Sequence, residues 1–197
     1  MSDIFPVFHK LLGRSDKEAL LKQNGVVIWM TGLSASGKTT LAIGLEKALH
    51  EKGHLCYVLD GDNVRTGINN NLRFSEEDRK ENIRRVAEVS KILLECGVIT
   101  INCFVSPTEE LRNLAKTIIG EDDFKLVYVN TPIEVCEQRD SKGLYAKARK
   151  GEIKDFTGVN APFEVPTSPD LEIKTTEHSF EENLKTLVDF MSPKIKL

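Results

Sequence analysis

The segment Gly32-Leu33-Ser34-Ala35-Ser36-Gly37-Lys38-Thr39 carries the pattern of a phosphate-cradling loop, two glycines flanking four residues and then a lysine and a threonine. Gly32 and Gly37 permit a tight backbone path, so that the loop's N–H groups and a helix N-terminus can cradle the β-phosphate of a nucleoside triphosphate. In this pattern Lys38 reaches the β- and γ-phosphates, the Thr39 hydroxyl ligates Mg2+, and Thr40 extends the nucleotide contact. The bland reading is a Gly/Ser-rich turn that merely starts a helix. Lys38 argues against it, because an ammonium at the positive end of a helix is unfavourable unless an anion normally shares the site.

A second chemical group is Asp60-Gly61-Asp62-Asn63-Val64-Arg65. Asp60 and Asp62 could bind Mg2+ through water, or position or deprotonate an attacking hydroxyl, while Arg65 could fork onto an anion. In isolation the segment also reads as an Asp-Gly turn with solvated charges. Its address favours chemistry, since it follows a strand at the carboxyl edge, where ligands of doubly wound sheets bind.

The elements that must hold these groups alternate. Val26–Thr31 (VVIWMT) is apolar and rich in β-branched residues, suits a strand buried on both faces, and is expected to be the central one. A helix follows over 38–52, with Leu41, Leu45, Ala48 and Leu49 on one face and Gly53 at its end. The next strand is expected at 56–59. A long helix at 75–95 opens on a Ser75 cap and three acids, with an apolar stripe of Ile83, Val86, Ala87, Ser90, Ile92, Leu93 and Leu94. Strands at 98–105 and 125–130, helices over Glu109–Ile119 and from Pro132, a last strand over Leu171–Lys174 and a helix over 180–191 complete the pattern. Residues 141–167, broken by glycines and prolines, read as a lid. The expected fold is α/β, of the P-loop NTPase type: a five-stranded parallel sheet with helices on both faces and a lid. Residues 1–24 read as an N-terminal extension and 25–197 as the catalytic domain.

At 197 residues, 40% hydrophobic and 29% charged, the chain has the composition of one ordinary globular domain. A net charge of −3 makes nucleic acid an unexpected partner, while a basic island in the lid (Lys142, Lys147, Arg149, Lys150, Lys154) suits a small polyanion. Cys56, Cys96, Cys103 and Cys136 include no Cys-x-x-Cys pair and read as core thiols in a reducing compartment. No apolar run is long enough to cross a bilayer and residues 1–10 lack a leader's apolar stretch, so the expectation is a cytoplasmic protein without a membrane partner.

LDGDNVR at 59–65, RFSEEDRKENIRRVAEV at 73–89, FVSP at 104–107 and RDSKGLYAKARKGEIKDFTG at 139–158 together resemble the adenylylsulfate kinase family, in order and spacing, from Gly25 to Lys174. The resemblance implies transfer of the ATP γ-phosphate to the 3′-hydroxyl of adenosine 5′-phosphosulfate, with Mg2+ as cofactor and a homodimer as the assembly. It implies Lys38, Asp60, Asp62 and Ser106 as catalytic residues and Thr39 and Asp60 as metal ligands. The acceptor's adenine is expected between Phe74 and Phe156, its phosphosulfate and ribose against Arg65, Arg79 and Asn82, with Asp62, Asn63, Val105, Ser106, Lys142 and Leu144 completing the pocket. Arg139 is expected at the ATP adenine. Ser106 resembles a serine proposed in this family to carry a phosphoryl intermediate, but no neighbouring histidine or lysine is evident in sequence to activate it, which favours a contact role. Arg84 reads as a salt-bridged surface charge and Lys147 and Lys150 as solvated ones. The chain departs from the family pattern at Thr66, Thr108 and the Leu111-Arg112 pair.

Two rivals remain at this level: another small-molecule P-loop kinase with a different acceptor, and a module that uses ATP only as a conformational switch. Phe74, Arg79 and Phe156 together disfavour the first, and the second has no need of an acceptor pocket.

Overall fold

The computed structural model describes residues 4–196; residues 1–3 of the expected extension and Leu197 at the end of the expected catalytic domain lie outside the described residues. Five strands, β1 (Val26–Thr31), β2 (Cys56–Asp60), β3 (Ile99–Cys103), β4 (Phe124–Asn130) and β5 (Leu171–Lys174), form one sheet in the order β2-β3-β1-β4-β5. Every neighbouring pair is parallel. Parallel neighbours need crossovers, and helices supply them. These are α1 (Arg14–Leu21), α2 (Lys38–Glu51), α3 (Gly61–Thr66), α4 (Glu76–Leu94), α5 (Glu109–Ile119), α6 (Ile133–Gln138), α7 (Leu144–Arg149) and α8 (Phe180–Ile195).

β1 is the central strand, as its composition predicts, and it is buried along its whole length. The two-residue period of a strand divides its side chains between two cores. Val26, Ile28 and Met30 pack with Leu41 and Leu45 of α2 and Leu187 and Met191 of α8. On the other face Val27 and Trp29 pack with Ile83 and Val86 of α4 and Leu111 and Ala115 of α5. Burial on both faces pins the carboxyl end of β1, and hence the loop that leaves it.

The helix starts follow their caps. The Ser75 hydroxyl accepts the Asp78 N–H at 3.2 Å, with Glu76, Glu77 and Asp78 in the first turn of α4. Thr108 caps α5 in the same way, and Ser179 with Glu182 forms a capping box on α8.

Residues 61–66, for which a turn is only the alternative reading, form the helix α3, because the Asp60 carboxylate caps it by accepting the Asp62 N–H at 2.9 Å. Four expectations are corrected. The lid is not irregular throughout, since LYAKAR, good helix formers between Gly143 and Gly151, forms α7. Ile92 faces solvent, 64% exposed, leaving the stripe of α4 to Ile83, Val86, Ala87, Ser90 and Leu94, with Leu93 partly buried against the same core. Cys96 is exposed and Cys56 half-buried, so only Cys103 and Cys136 are core thiols. The closing helix runs on to Ile195 and contains Pro193.

α1 had no counterpart in the sequence pattern, and it binds the edge of the sheet opposite the loops. The Arg14 guanidinium donates to both carboxylate oxygens of Asp123, each at 2.8 Å, and to the Gly25 carbonyl at 2.9 Å. The buried Gln23 amide bridges Leu55 and Gly97. Residues 25, 55, 97 and 123 all directly precede or stand near the starts of strands, so this anchoring leaves the carboxyl ends of the strands free. Among the described residues no helix is long and apolar enough to cross a membrane.

Candidate active site

The loop after β1 has a backbone that few residues could adopt. Gly32 has φ +151°, and a Cβ there would come within 2.5 Å of the Val129 carbonyl oxygen on β4. Gly37, at φ +104°, starts α2, and Ala35 takes the left-handed conformation at φ 58°. Lys38 is 8% exposed, and its ammonium donates to the carbonyls of Gly32 at 2.9 Å and Leu33 at 2.7 Å. Burial pushes its pKa down from 10.5 to about 8, against the opposing pull of Asp60 among the nearby groups. Gly32 and Leu33 therefore serve the loop through the lysine, and neither lines a cavity.

Beside this loop, the Thr39 hydroxyl donates to the Asp60 carboxylate at 2.8 Å. Both groups are hard oxygen donors of the kind Mg2+ takes, and Mg2+ commonly uses one or two protein ligands and completes its shell with water and substrate phosphates. No group of three or more His, Cys, Asp or Glu residues that could hold a metal exists among the described residues.

Two cavities meet at the loop. The larger, about 590 Å³, is lined by 34–41 of the loop and α2 together with Arg139, Asp140, Thr175, Phe180 and Asn183. The smaller, about 290 Å³, runs from the loop to Arg65, Phe74, Arg79, Asn82, Val105, Ser106, Leu144 and Phe156. Ser34, Ala35, Lys38, Thr39, Asp60, Asp62 and Lys142 line both. The structure thus brings together all the expected site residues except Gly32 and Leu33, which act from behind, and Asn63. Asn63 is exposed and lines neither cavity. The reason is α3: Asp62 and Arg65, three apart, share the face turned to the cavity, and the next residue after Asp62 is rotated about 100° away. The Asn63 carbonyl takes the Thr66 hydroxyl instead.

In the smaller cavity the arginines are held by backbone. Arg65 donates to the carbonyls of Leu72 and Arg73, and its guanidinium lies 4.5 Å from the centroid of the Phe74 ring, which is itself 64% exposed. Arg79 donates to the carbonyls of Phe74 and Asp155 and to the Thr157 hydroxyl, which ties α4 to the lid. The buried Asn82 oxygen accepts from Asn69 Nδ2 at 3.0 Å, which fixes which end of the Asn82 amide is left for a ligand. Lys142 forms an ion pair with Asp62, and that carboxylate raises the lysine's pKa. Arg84 is paired with Glu81, and Lys147 and Lys150 are exposed, as their surface reading predicts.

Ser106, three residues beyond the end of β3, takes the left-handed conformation at φ 35° and is 2% exposed. Three groups hold it there. The Trp29 indole donates to Ser106 Oγ at 3.1 Å, the buried Arg112 guanidinium donates to the Ser106 carbonyl at 3.0 Å, and the Thr31 hydroxyl holds the Val105 carbonyl at 2.7 Å. The hydroxyl's own acceptor is the Phe104 carbonyl, at 3.5 Å, so no base is hydrogen-bonded to it.

Sequence reasoning missed Thr175, Phe180 and Asn183 in the larger cavity and Trp29, Arg112 and Tyr145 behind the site. Thr175 directly follows β5 at the carboxyl edge of the sheet, an address that could have flagged it. The others act through packing that no spacing reveals.

A family model described as adenylylsulphate kinase matches residues 24–174. The adenylyl-sulfate kinase of Bacteroides thetaiotaomicron is 58% identical over 193 residues, covering 98% of this chain and 96% of that relative. Among solved structures, the Mycobacterium tuberculosis APS kinase in complex with AMPPNP and APS aligns with a TM-score of 0.83 and 44% identity, covering 86% of this chain and 98% of that one. A hexameric APS kinase from Thiobacillus denitrificans aligns with a TM-score of 0.64 and 25% identity, over 88% of this chain and 30% of that one.

The depressed pKa of Lys38 makes triphosphate binding pH-dependent. A polyanion on the loop favours the charged lysine, so above pH about 8 the free amine must take up a proton in order to bind. Affinity for a non-hydrolysable ATP analogue is expected to fall as pH rises from about 8 to about 10, by at most about tenfold per unit, and Lys38→Met is expected to abolish the slope. Calorimetric titration across that range checks this. A wild-type affinity that stays flat would contradict the buried-cation picture.

Proposed function

This chain belongs to the adenylylsulphate kinase family, and from that premise we propose how its two cavities divide the reaction. The protein transfers the γ-phosphoryl group of ATP to the 3′-hydroxyl of adenosine 5′-phosphosulfate, yielding ADP and 3′-phosphoadenosine 5′-phosphosulfate. The larger cavity takes ATP, with its phosphates on the loop and its adenine toward Arg139 and Thr175. The smaller takes the sulfated nucleotide, with its adenine between Phe74 and Phe156 and its anionic end near Arg65 and Arg79. One observation carries the assignment: the two cavities share a wall of Lys38, Thr39, Asp60, Asp62 and Lys142, so a phosphoryl group on the loop faces an acceptor across cations and carboxylates.

Phosphoryl transfer needs chiefly alignment and neutralisation of charge on the moving group. Lys38 supplies protein charge at the γ-phosphate. Asp62 orients the acceptor hydroxyl and accepts its proton, and Lys142 holds Asp62 in place from the lid. Thr39 and Asp60 would hold Mg2+, which when bound offsets phosphate charge. Ser106 bounds the acceptor pocket as a contact rather than as a nucleophile, a role supported by the lack of a base on its hydroxyl. Residues 1–24 remain in our reading an extension of the catalytic domain at 25–197, with the lid at about 141–167. We place the protein in a reducing cytoplasm on the strength of its four free cysteines, two of them buried thiols. A homodimer is the assembly we expect, supported by exposed Phe5, Phe8, Leu11 and Leu12 before α1, apolar side chains that a second copy would cover. A monomeric mass by light scattering would contradict that assembly.

Coupled turnover with a panel of hydroxyl acceptors tests the function. Adenosine 5′-phosphosulfate is expected to be the preferred acceptor by a wide margin, and comparable turnover with a sugar or an unsulfated nucleotide would contradict the assignment. Within it, Arg79→Ala is expected to weaken binding of the sulfated nucleotide about ten- to a hundredfold, the worth of a charged hydrogen bond of about 1.5–3 kcal/mol, and to leave ATP affinity nearly unchanged. Arg79→Lys is expected to rescue little, because an ammonium lacks the fork. Equal losses for both nucleotides by calorimetry would show that the two cavities are not separate sites.

A further inference from the structure

Tyr145 is the first full turn residue of α7 that faces inward, and it is 2% exposed. Its hydroxyl donates to the carbonyl of Ser34 in the phosphate-binding loop at 2.9 Å. Its ring stands edge-on to Phe156, with centroids 5.0 Å apart and planes at 82°. Burial pushes the phenol's pKa up, so the hydroxyl stays protonated and keeps its role as a donor at ordinary pH. One side chain therefore touches a loop residue that lines both cavities and the aromatic wall of the smaller one.

Neither contact is loose. The carbonyl and N–H of a trans peptide point in opposite directions, so fixing the Ser34 carbonyl also fixes the direction of the Ala35 N–H. Ala35 already holds the left-handed conformation, at φ 58°, which is strained for a residue with a Cβ and needs its surroundings to maintain it. At the other end, an edge-to-face contact sets the tilt of the Phe156 ring and not merely its location. The Asp140 carboxylate holds α7 in register by accepting the N–H groups of Leu144 at 2.9 Å and Tyr145 at 2.8 Å. Asp140 itself lines the larger cavity. The segment from Asp140 to Tyr145 thus links the lining of the larger cavity to the aromatic wall of the smaller one.

We propose that Tyr145 is a positioning residue that couples the two subsites: through the Ser34 carbonyl and the Phe156 ring, the order that one bound nucleotide imposes is delivered to the site of the other. This rests on the assignment of the two cavities made above. A coupling of this kind is reciprocal, so ATP tightens the acceptor by the same factor as the acceptor tightens ATP. It needs no contact between Tyr145 and either ligand.

Calorimetric titration of adenosine 5′-phosphosulfate, alone and with a saturating non-hydrolysable ATP analogue, tests the proposal on wild type, Tyr145→Phe and Tyr145→Leu. Phenylalanine keeps the ring and its packing and removes only the hydroxyl, so that variant is expected to fold, with a melting temperature lowered by no more than about 2–4 °C for the one lost hydrogen bond. The wild type is expected to bind the sulfated nucleotide more tightly with the analogue present. In Tyr145→Phe that enhancement is expected to shrink about fivefold, the effect of one neutral hydrogen bond, while affinity without the analogue changes by less than about twofold. Tyr145→Leu, which also removes the edge contact, is expected to lose affinity in both titrations. An undiminished enhancement in Tyr145→Phe, or a loss that is the same with and without the analogue, would overturn the coupling role. A wild type that fails to bind the sulfated nucleotide in either titration would overturn the functional assignment itself, which is a separate result.

Discussion

Lys38 carries a cation to a place that water hardly reaches, and its pKa falls from 10.5 to about 8 as a result. A depression of that size costs the fold about 3 kcal/mol. The unfolded chain keeps its lysine protonated up to its ordinary value, so the cost is full below pH about 8 and fades as pH approaches 10.5. A protein that is stable by only about 5–15 kcal/mol has no structural use for such a group. Its use is electrostatic: in a site with little water, a fixed charge acts on a phosphate far more strongly than it would in solvent.

Much of the remaining architecture serves that one group. Residues of the strand before it are buried on both faces, which pins the point where the loop departs. The close approach of Val129 allows only glycine at position 32, and Gly37 turns the chain into α2 so that Lys38 begins the helix. Because the sheet is wholly parallel, the ends of β1, β2 and β3 deliver Lys38, Asp60 and Ser106 to one edge, while α1 and Gln23 brace the opposite edge. The strain at Ser106 is maintained in the same way, by Trp29 from β1 and Arg112 from α5 rather than by anything local.

The parts legible in the sequence were those with a period or a fixed spacing. β1, α4 and the glycine-lysine loop each announce themselves within a few residues, and the Ser75 cap marks the start of α4. α3 and α7 did not, since six residues are too few to display a helical period and glycines flank or begin both. The place of Asn63 outside both cavities follows directly from α3, because a loop presents consecutive side chains where a helix presents every third or fourth. Tyr145, Trp29 and Arg112 were invisible for another reason. Each acts through a partner distant in sequence, Ser34 or Ser106, and only the folded chain brings them within hydrogen-bond reach, except for Arg112, whose spacing from Ser106 is short but whose burial no pattern disclosed.

Taken together, the shared wall and the unactivated Ser106 hydroxyl imply that the phosphoryl group passes directly from one bound nucleotide to the other, with no stop on the protein. The stereochemical course of the transfer tests this most directly. With ATP whose γ-phosphorus is made chiral by oxygen isotopes, a single in-line displacement inverts the configuration in the 3′-phosphorylated product. Inversion is the expected result. Retention would require two displacements and a phosphorylated residue between them, and would contradict the account of how the two cavities meet.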